Sequence, residues 1–261
     1  MQKIAICGKG GSGKSVITRL LAGGLVRRGL RVLLVDSDES NTGLHRMLGF
    51  DTPPRPLVDY LGGKQKVEKM IEERIRSGVP ESMVCVMQRE LSTDDLPPEF
   101  VLRRNGIELV MVGKILMALE GCACPMGIVS RSFLRDIILR PDQIALVDME
   151  AGVEHFGRGV ESSMDCVLVA VEPSFESLEI AGRIAELSRQ IRIGDVWAVL
   201  NKVQSAAVAG EITSKLAEAG LSVIGTIPFS QDIFLSCLRG TPLASDILAS
   251  EVDKILDFLF P

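Results

Sequence analysis

Residues 8–15 read Gly8-Lys9-Gly10-Gly11-Ser12-Gly13-Lys14-Ser15, a spacing that leaves little freedom in what can surround it. Glycine at these intervals lets successive backbone N–H groups turn toward one phosphate chain. Lys14 is placed to reach the β- and γ-phosphates, and the Ser15 hydroxyl is placed to hold Mg²⁺. Gly8, Lys9, Gly10, Gly11, Ser12, Gly13, Lys14, Ser15 and Val16 are therefore the candidate ATP/ADP-binding residues. Such a loop works where a strand delivers it and a helix N-terminus receives it, because the helix end adds its own attraction for anions. Residues 4–7 form an apolar run suited to a buried strand. Residues 15–28 carry Val16, Leu20, Leu21 and Leu25 at helical spacing and stop before Gly29.

The alternation continues downstream. Residues 31–35, 83–87, 107–112, 144–147, 167–171, 196–200 and 221–227 read as strands; 67–76, 127–140, 175–191 and 206–219 read as helices, and two short helices close the chain. Residues 51–62, rich in proline and glycine, read as a surface excursion. The pattern predicts one α/β domain over residues 1–261, a P-loop NTPase with a mostly parallel sheet flanked by helices on both faces. A hydrophobic fraction of 46% is enough to bury such a core. Ligands of such sheets sit at the C-terminal strand edge, so the residues that end each strand matter most.

Phosphoryl transfer asks for a carboxylate near the Mg²⁺ and a group that orients the attacking water. Asp36-Ser37-Asp38 ends the second strand, and Asp148 ends another. Asp38 is the candidate for the water, and with Lys9 and Lys14 it completes the candidate catalytic set. Asp36 and Asp148 join Ser15 as candidates for the Mg²⁺ shell, directly or through water. Asp148-Met149-Glu150-Ala151-Gly152, followed by Gly157 and Gly159, has the glycine content of a segment that rearranges with the γ-phosphate. Asn201 and Lys202, with Pro228 and Phe229, end later strands and are the candidate adenine contacts. Lys9 is not needed to cradle phosphates within one chain; a cation there suits a neighbouring subunit's nucleotide.

Cys122-Ala123-Cys124 supplies two thiolates, half of a tetrahedral site for a soft metal. A two-fold dimer would complete it. Such thiolates suit Zn²⁺, Cu(I), Ni²⁺ or an iron–sulfur cluster. Of the six cysteines, Cys7, Cys85, Cys166 and Cys237 lie in or near apolar segments and read as packed thiols. His155 reads as a hydrogen-bonded structural residue. The net charge of −5 argues against a nucleic-acid surface. No apolar run is long enough for a bilayer, and the chain enters its first strand directly, so a cytoplasmic location without a membrane partner is expected.

Residues 8–15 resemble the deviant Walker A motif of the family that includes MinD, ParA and the nitrogenase iron protein, with Lys9 on its signature lysine. Asp36-Ser37-Asp38 resembles its first switch and 148–152 its second. Within that family Cys122-Ala123-Cys124, the run 148–155, Gly157-Arg158-Gly159 and Val171-Glu172-Pro173 resemble the CooC-type nickel-insertion ATPases. That resemblance implies an ATP-promoted homodimer, a slow ATPase, a client nickel enzyme such as carbon monoxide dehydrogenase, and a metal at the shared thiolates, for which it narrows the candidates to nickel or zinc. Two residues depart from the pattern. Val16 stands where a second threonine is usual, and Glu39 where proline is usual. The alternatives are a MinD/ParA-like switch that binds membrane or DNA, and an iron-protein-like electron carrier.

Overall fold

β1 (Lys3–Gly8) is buried from its second residue on, because it lies in the middle of the sheet with helices over both faces. The structure is a computed structural model, and it describes residues 1–87, 89–114, 124–157 and 159–261. The strands that follow are β2 (Arg31–Asp36), β3 (Leu102–Arg104), β4 (Ile107–Met111), β5 (Gln143–Asp148), β6 (Cys166–Val171), β7 (Asp195–Val203) and β8 (Ser222–Pro228). They form an eight-stranded sheet in the order β3-β4-β2-β5-β1-β6-β7-β8. β3 pairs antiparallel with β4, and the other pairings are parallel.

The helices are α1 (Lys14–Arg27), α2 (Leu44–Met47), α3 (Leu57–Tyr60), α4 (Lys64–Arg76), α5 (Cys124–Asp136), α6 (Glu154–Gly157), α7 (Phe175–Gln190), α8 (Ala206–Glu218), α9 (Gln231–Arg239) and α10 (Ala249–Leu259). Alternate side chains of β1 serve the two faces, as the period of a strand requires. Ile4 and Ile6 join the core under α1 and α10, whereas Ala5 and Cys7 join the core under α4, α5, α7 and α8. The α/β architecture read from the sequence is the one observed.

Two of the elements read from the sequence come out differently. Residues 83–87 add no strand. A 3₁₀ turn at Glu81–Met83 leads into chain whose polar groups bond to α5: the Val86 N–H donates to Ser132 Oγ at 3.2 Å, and Arg131 donates to the Val84 carbonyl at 3.1 Å. Helix-borne side chains thus replace a neighbouring strand. The helix expected over 127–140 ends at Asp136, because the chain beyond it turns to Leu91, whose carbonyl accepts from Ile138 N–H at 2.8 Å.

α10 closes one face of the sheet with Val252, Ile255, Leu256 and Leu259 all buried. Glycines make room for it. A Cβ at Gly225 of β8 would lie 2.2 Å from Ile255 Cγ1, too close for any pair of carbons. Gly225→Ala is therefore expected to cost about 1–3 kcal/mol through overpacking, read as a lower urea midpoint. A midpoint equal to that of the parent would show that α10 is free to shift.

Candidate active site

β1 ends in Gly8 and releases the chain into a loop that closes on α1. Gly8 has φ +138°, and a Cβ there would sit 2.5 Å from the Ala170 carbonyl oxygen; Gly13 has φ +93°, and a Cβ there would sit 2.1 Å from Asn201 Nδ2. Only glycine meets both demands. Gly13 is also the N-cap of α1, with no side-chain cap bond and no acidic residue in the first turn. The first N–H groups of the helix, including that of Val16, are thus left for an anion. Lys14 is 6% exposed, and its Nζ lies 3.4 Å from the Lys9 carbonyl, folded back across the loop. Ser12 is fully buried and braces the loop, its N–H donating to the same carbonyl at 3.1 Å.

The neighbouring strand ends clamp this loop. Asn201 Nδ2 donates to the Ser12 carbonyl at 2.8 Å, and Lys202 Nζ donates to the Gly11 carbonyl. Lys202 reaches it because β7 carries a register shift between Leu200 and Val203 and Lys202 itself adopts φ +57°. The amide nitrogen of Asn201, expected at the adenine edge, is thus engaged with the loop. Lys202 Nζ also bonds Glu172 Oε2 at 2.8 Å, and Lys9 Nζ bonds Glu172 Oε1 at 2.9 Å. Burial pushes the Glu172 carboxyl up, but the two ammonium groups outweigh it and hold the carboxyl below its usual range.

Parallel register places the carboxylates. Asp36 stands opposite Asp148 on β2 and β5. Asp148 is fully buried; its Oδ2 accepts from Ser15 Oγ at 2.5 Å, while Oδ1 has no hydrogen-bond partner among the described residues. Ser15 Oγ in turn accepts from Asn41 Nδ2 at 2.6 Å. A hydroxyl beside a buried acceptor with a spare lone pair suits Mg²⁺ or its water shell. Burial first, and then the facing Asp36, pushes the Asp148 carboxyl up to about 7. Asp36 is different. Its Oδ1 is held at 2.7 Å by buried Lys114, and it borders a second cavity with that lysine, not the one beside the loop. In this structure Lys114 holds one oxygen of Asp36, and Ser15 and Asp148 are the pair in direct contact. Burial still leaves the Asp36 carboxyl raised to about 6.

Asp38 lies at the edge of the main cavity, and its Oδ1 accepts from Ser40 N–H at 2.9 Å, Ser40 Oγ at 2.7 Å and Asn41 N–H at 3.1 Å. The cavity has a volume of about 660 Å³ and runs from Gly10, Gly11 and Gly13 past Val16 to Pro228 and Phe229. Phe229 and Phe234 are half-exposed with ring centroids 6.3 Å apart, and α9 buries none of its residues. An apolar wall left open beside a phosphate loop suits a flat base.

The second switch reaches the loop directly, with Gly152 N–H donating to the Gly8 carbonyl at 3.2 Å. His155 is buried and its Nε2 lies 3.1 Å from the Gly152 carbonyl. Cys7 and Cys166 are buried as expected, but Cys85 is only partly covered and Cys237 is exposed at the rim of the cavity. The Cys122/Cys124 thiolate pair lies outside the described residues, Cys124 entering only as the first residue of α5. Sequence reasoning gave no role to Asn41 or Lys114 and cited Glu172 only as a mark of resemblance. Asn41, three residues past Asp38 in a polar loop, was the one with a readable signal.

The family model for the CobQ/CobB/MinD/ParA nucleotide binding domain matches residues 3–243. An uncharacterized ATP-binding protein of Methanocaldococcus jannaschii is 37% identical over 260 residues, 98% of this chain and 99% of that protein. The carbon monoxide dehydrogenase accessory protein CooC of Rhodospirillum rubrum is 33% identical over 266 residues, 99% of this chain and 98% of that protein. Among solved structures, a chain of the MinC:MinD cell division protein complex of Aquifex aeolicus superposes with TM-score 0.68 at 19% identity, covering 99% of this chain and 95% of that one. Pyrococcus horikoshii MinD complexed with Mg-ADP gives 0.64 at 16%, covering 99% and 96%.

Asp148 and Asp36 both hold protons more tightly in the folded protein than a solvated aspartate does. A carboxyl raised by folding stabilises below its unfolded pKa, and that contribution is lost as pH rises through the folded value. Thermal melts of nucleotide-free protein without Mg²⁺ should therefore fall from about pH 4 to about pH 7, and Asp148→Asn should flatten much of that slope. Equal slopes in both proteins would contradict the assignment.

Proposed function

The chain belongs to the CobQ/CobB/MinD/ParA nucleotide-binding family, and on that premise we propose that its ATPase cycle controls the binding and delivery of a metal. The cargo is nickel or zinc, carried at Cys122 and Cys124 of two subunits and destined for a nickel enzyme such as carbon monoxide dehydrogenase. The observation that carries this reading is end-to-end identity of 33% with CooC, in a chain whose sequence has a Cys-x-Cys pair ending at Cys124, the first residue of α5. The geometry supports it. Ser37, between the two first-switch aspartates, bonds Ser130 of α5 Oγ to Oγ at 2.8 Å. A nucleotide-driven shift of the first switch therefore pulls on the helix that begins at Cys124.

In the proposed cycle the loop N–H groups and Lys14 hold the phosphates, and Ser15 and Asp148 hold Mg²⁺. Asp38 orients water for attack on the γ-phosphorus, with ADP as leaving group. Lys9 supplies positive charge to the nucleotide of the partner in an ATP-promoted homodimer. Mg²⁺ bound there would supply positive charge to the phosphate oxygens.

A membrane-switch reading in the manner of MinD fits the fold equally well, but α10 spends its apolar face on the core. Among the described residues no helix is long and apolar enough to cross a membrane.

Elemental analysis of anaerobically purified protein should find about one nickel or zinc per two chains, the ratio for four thiolates around one ion. Cys122→Ser with Cys124→Ser should abolish that metal and leave ATP affinity unchanged. Metal retained by the double variant defeats the reading, and iron with sulfide in its place favours the electron-transfer alternative. Lys14→Ala should remove ATP binding, and Lys9→Ala should spare binding while lowering turnover. Asp38→Ala should bind ATP and lower turnover on the order of 100-fold, the usual scale for a residue that manages the attacking proton donor.

A further inference from the structure

A buried lysine is costly to keep, and Lys114 is 8% exposed. Among the described residues its ammonium bonds two groups, both in the segment proposed as the first switch: Asp36 Oδ1 at 2.7 Å and the backbone carbonyl of Asp38. We propose that Lys114 is the positioning residue for ATP hydrolysis, the group that fixes where Asp38 presents its carboxylate to water. The inference rests on the role proposed for Asp38.

The argument runs from both ends of Asp38. Its side chain is fastened by its own turn, where Oδ1 accepts from Ser40 and Asn41. Its backbone is fastened by Lys114. Without the ammonium, the Asp38 carbonyl and Asp36 Oδ1 would lose the donor they share, and Asp36 would keep the backbone N–H of Asp38. That arrangement is expensive, and a loop escapes it by moving.

Lys114 is itself firmly seated. Val112 N–H donates to the Asp36 carbonyl at 2.9 Å, and the Val112 carbonyl accepts from Val58 N–H at 3.1 Å. Gly113 is backed by Met126 of α5, whose Sδ would lie 3.1 Å from a Cβ there. The lysine therefore measures the first switch against β4 and α5. It also neutralises the acid that stands opposite Asp148, which separates the duties of the two strand-end carboxylates.

A cavity of about 550 Å³ opens beside the ammonium, lined by Lys114, Asp36, His45, Met111 and Met126 among others. It gives a direct test, because a small alkylammonium ion can enter in place of a truncated side chain. Lys114→Ala should bind a fluorescent ATP analogue within about twofold of the parent yet lose about 10- to 100-fold in kcat, the scale of a displaced reacting group. Ethylammonium chloride should restore kcat several-fold, and potassium chloride at the same ionic strength should not. Should Lys114→Ala fail to fold with Asp36 left unpaired, Asp36→Asn with Lys114→Ala removes both charges and is subjected to the same three measurements. Parent-like kcat in whichever variant folds overturns the proposal, and so does a loss of kcat that ethylammonium leaves untouched. Asp38→Ala separates the two readings: if it turns over normally, the role of Asp38 fails and takes this inference with it; if it is slow while the Lys114 variants are fast, only the inference fails.

Discussion

Negative charge at the carboxyl edge of a parallel sheet governs this molecule. Parallel register puts Asp36 and Asp148 side by side, and Asp38 follows two residues later. All three are at most 5% exposed. Carboxylates that close in a medium of low polarity must be paired, protonated or met by a cation. Asp36 is paired by Lys114. Asp38 disperses its charge over the donors of its own turn. Asp148 receives one hydroxyl among the described residues, and burial, with the facing Asp36, raises its carboxyl above that of Asp36 despite Lys14 nearby. A divalent ion at the proposed Mg²⁺ site would relieve that carboxyl.

The phosphate loop answers with opposite polarity. Its free donors are backbone N–H groups, and its carbonyls are claimed from behind by Asn201 and Lys202. Claiming the carbonyls is what keeps the N–H groups aimed outward, since a peptide plane held by its oxygen cannot turn over. The bulge in β7 and the positive φ of Lys202 are the local strain that this arrangement sustains. Preorganised donors lose little entropy on binding, which is where a loop of glycines would otherwise be weak.

Much of this could be read from the chain, because strong local rules wrote it. The strand, loop and helix at residues 3–27 follow from apolar run, glycine spacing and helical period. The alternation of strands and helices fixed the layers. What could not be read had its cause elsewhere. Residues 83–87 are apolar, and Val84, Val86 and Met87 among them are buried, but the segment finds its partners on α5, so burial without a ladder looked like a strand. The edge strand β3 hid in the charged sequence Leu-Arg-Arg. Its signal was Asn105-Gly106, with φ +48° and +79°, the pair that a tight primed hairpin turn demands. Lys114 carried no local signal at all. A lysine after a strand is ordinarily solvated, and only the tertiary approach of Asp36 and the Asp38 carbonyl gives it a task.

Lys9 shows the same dependence on context. In the single chain it does not project freely; it shares the two oxygens of Glu172 with Lys202. Pairs this close to solvent are weak, since water and salt compete for both partners. A weak resting contact suits a residue that the proposed dimer needs elsewhere. The polyanionic nucleotide of a partner offers Lys9 more negative charge than one carboxylate does, and Lys202 remains to satisfy Glu172 after it leaves. Departure therefore strands no charge at the site, and the loop stays clamped through the Lys202 bond to Gly11. Exchange of one lysine between its own chain and a neighbour can thus be coupled to ATP without disturbing the cradle that holds the phosphates.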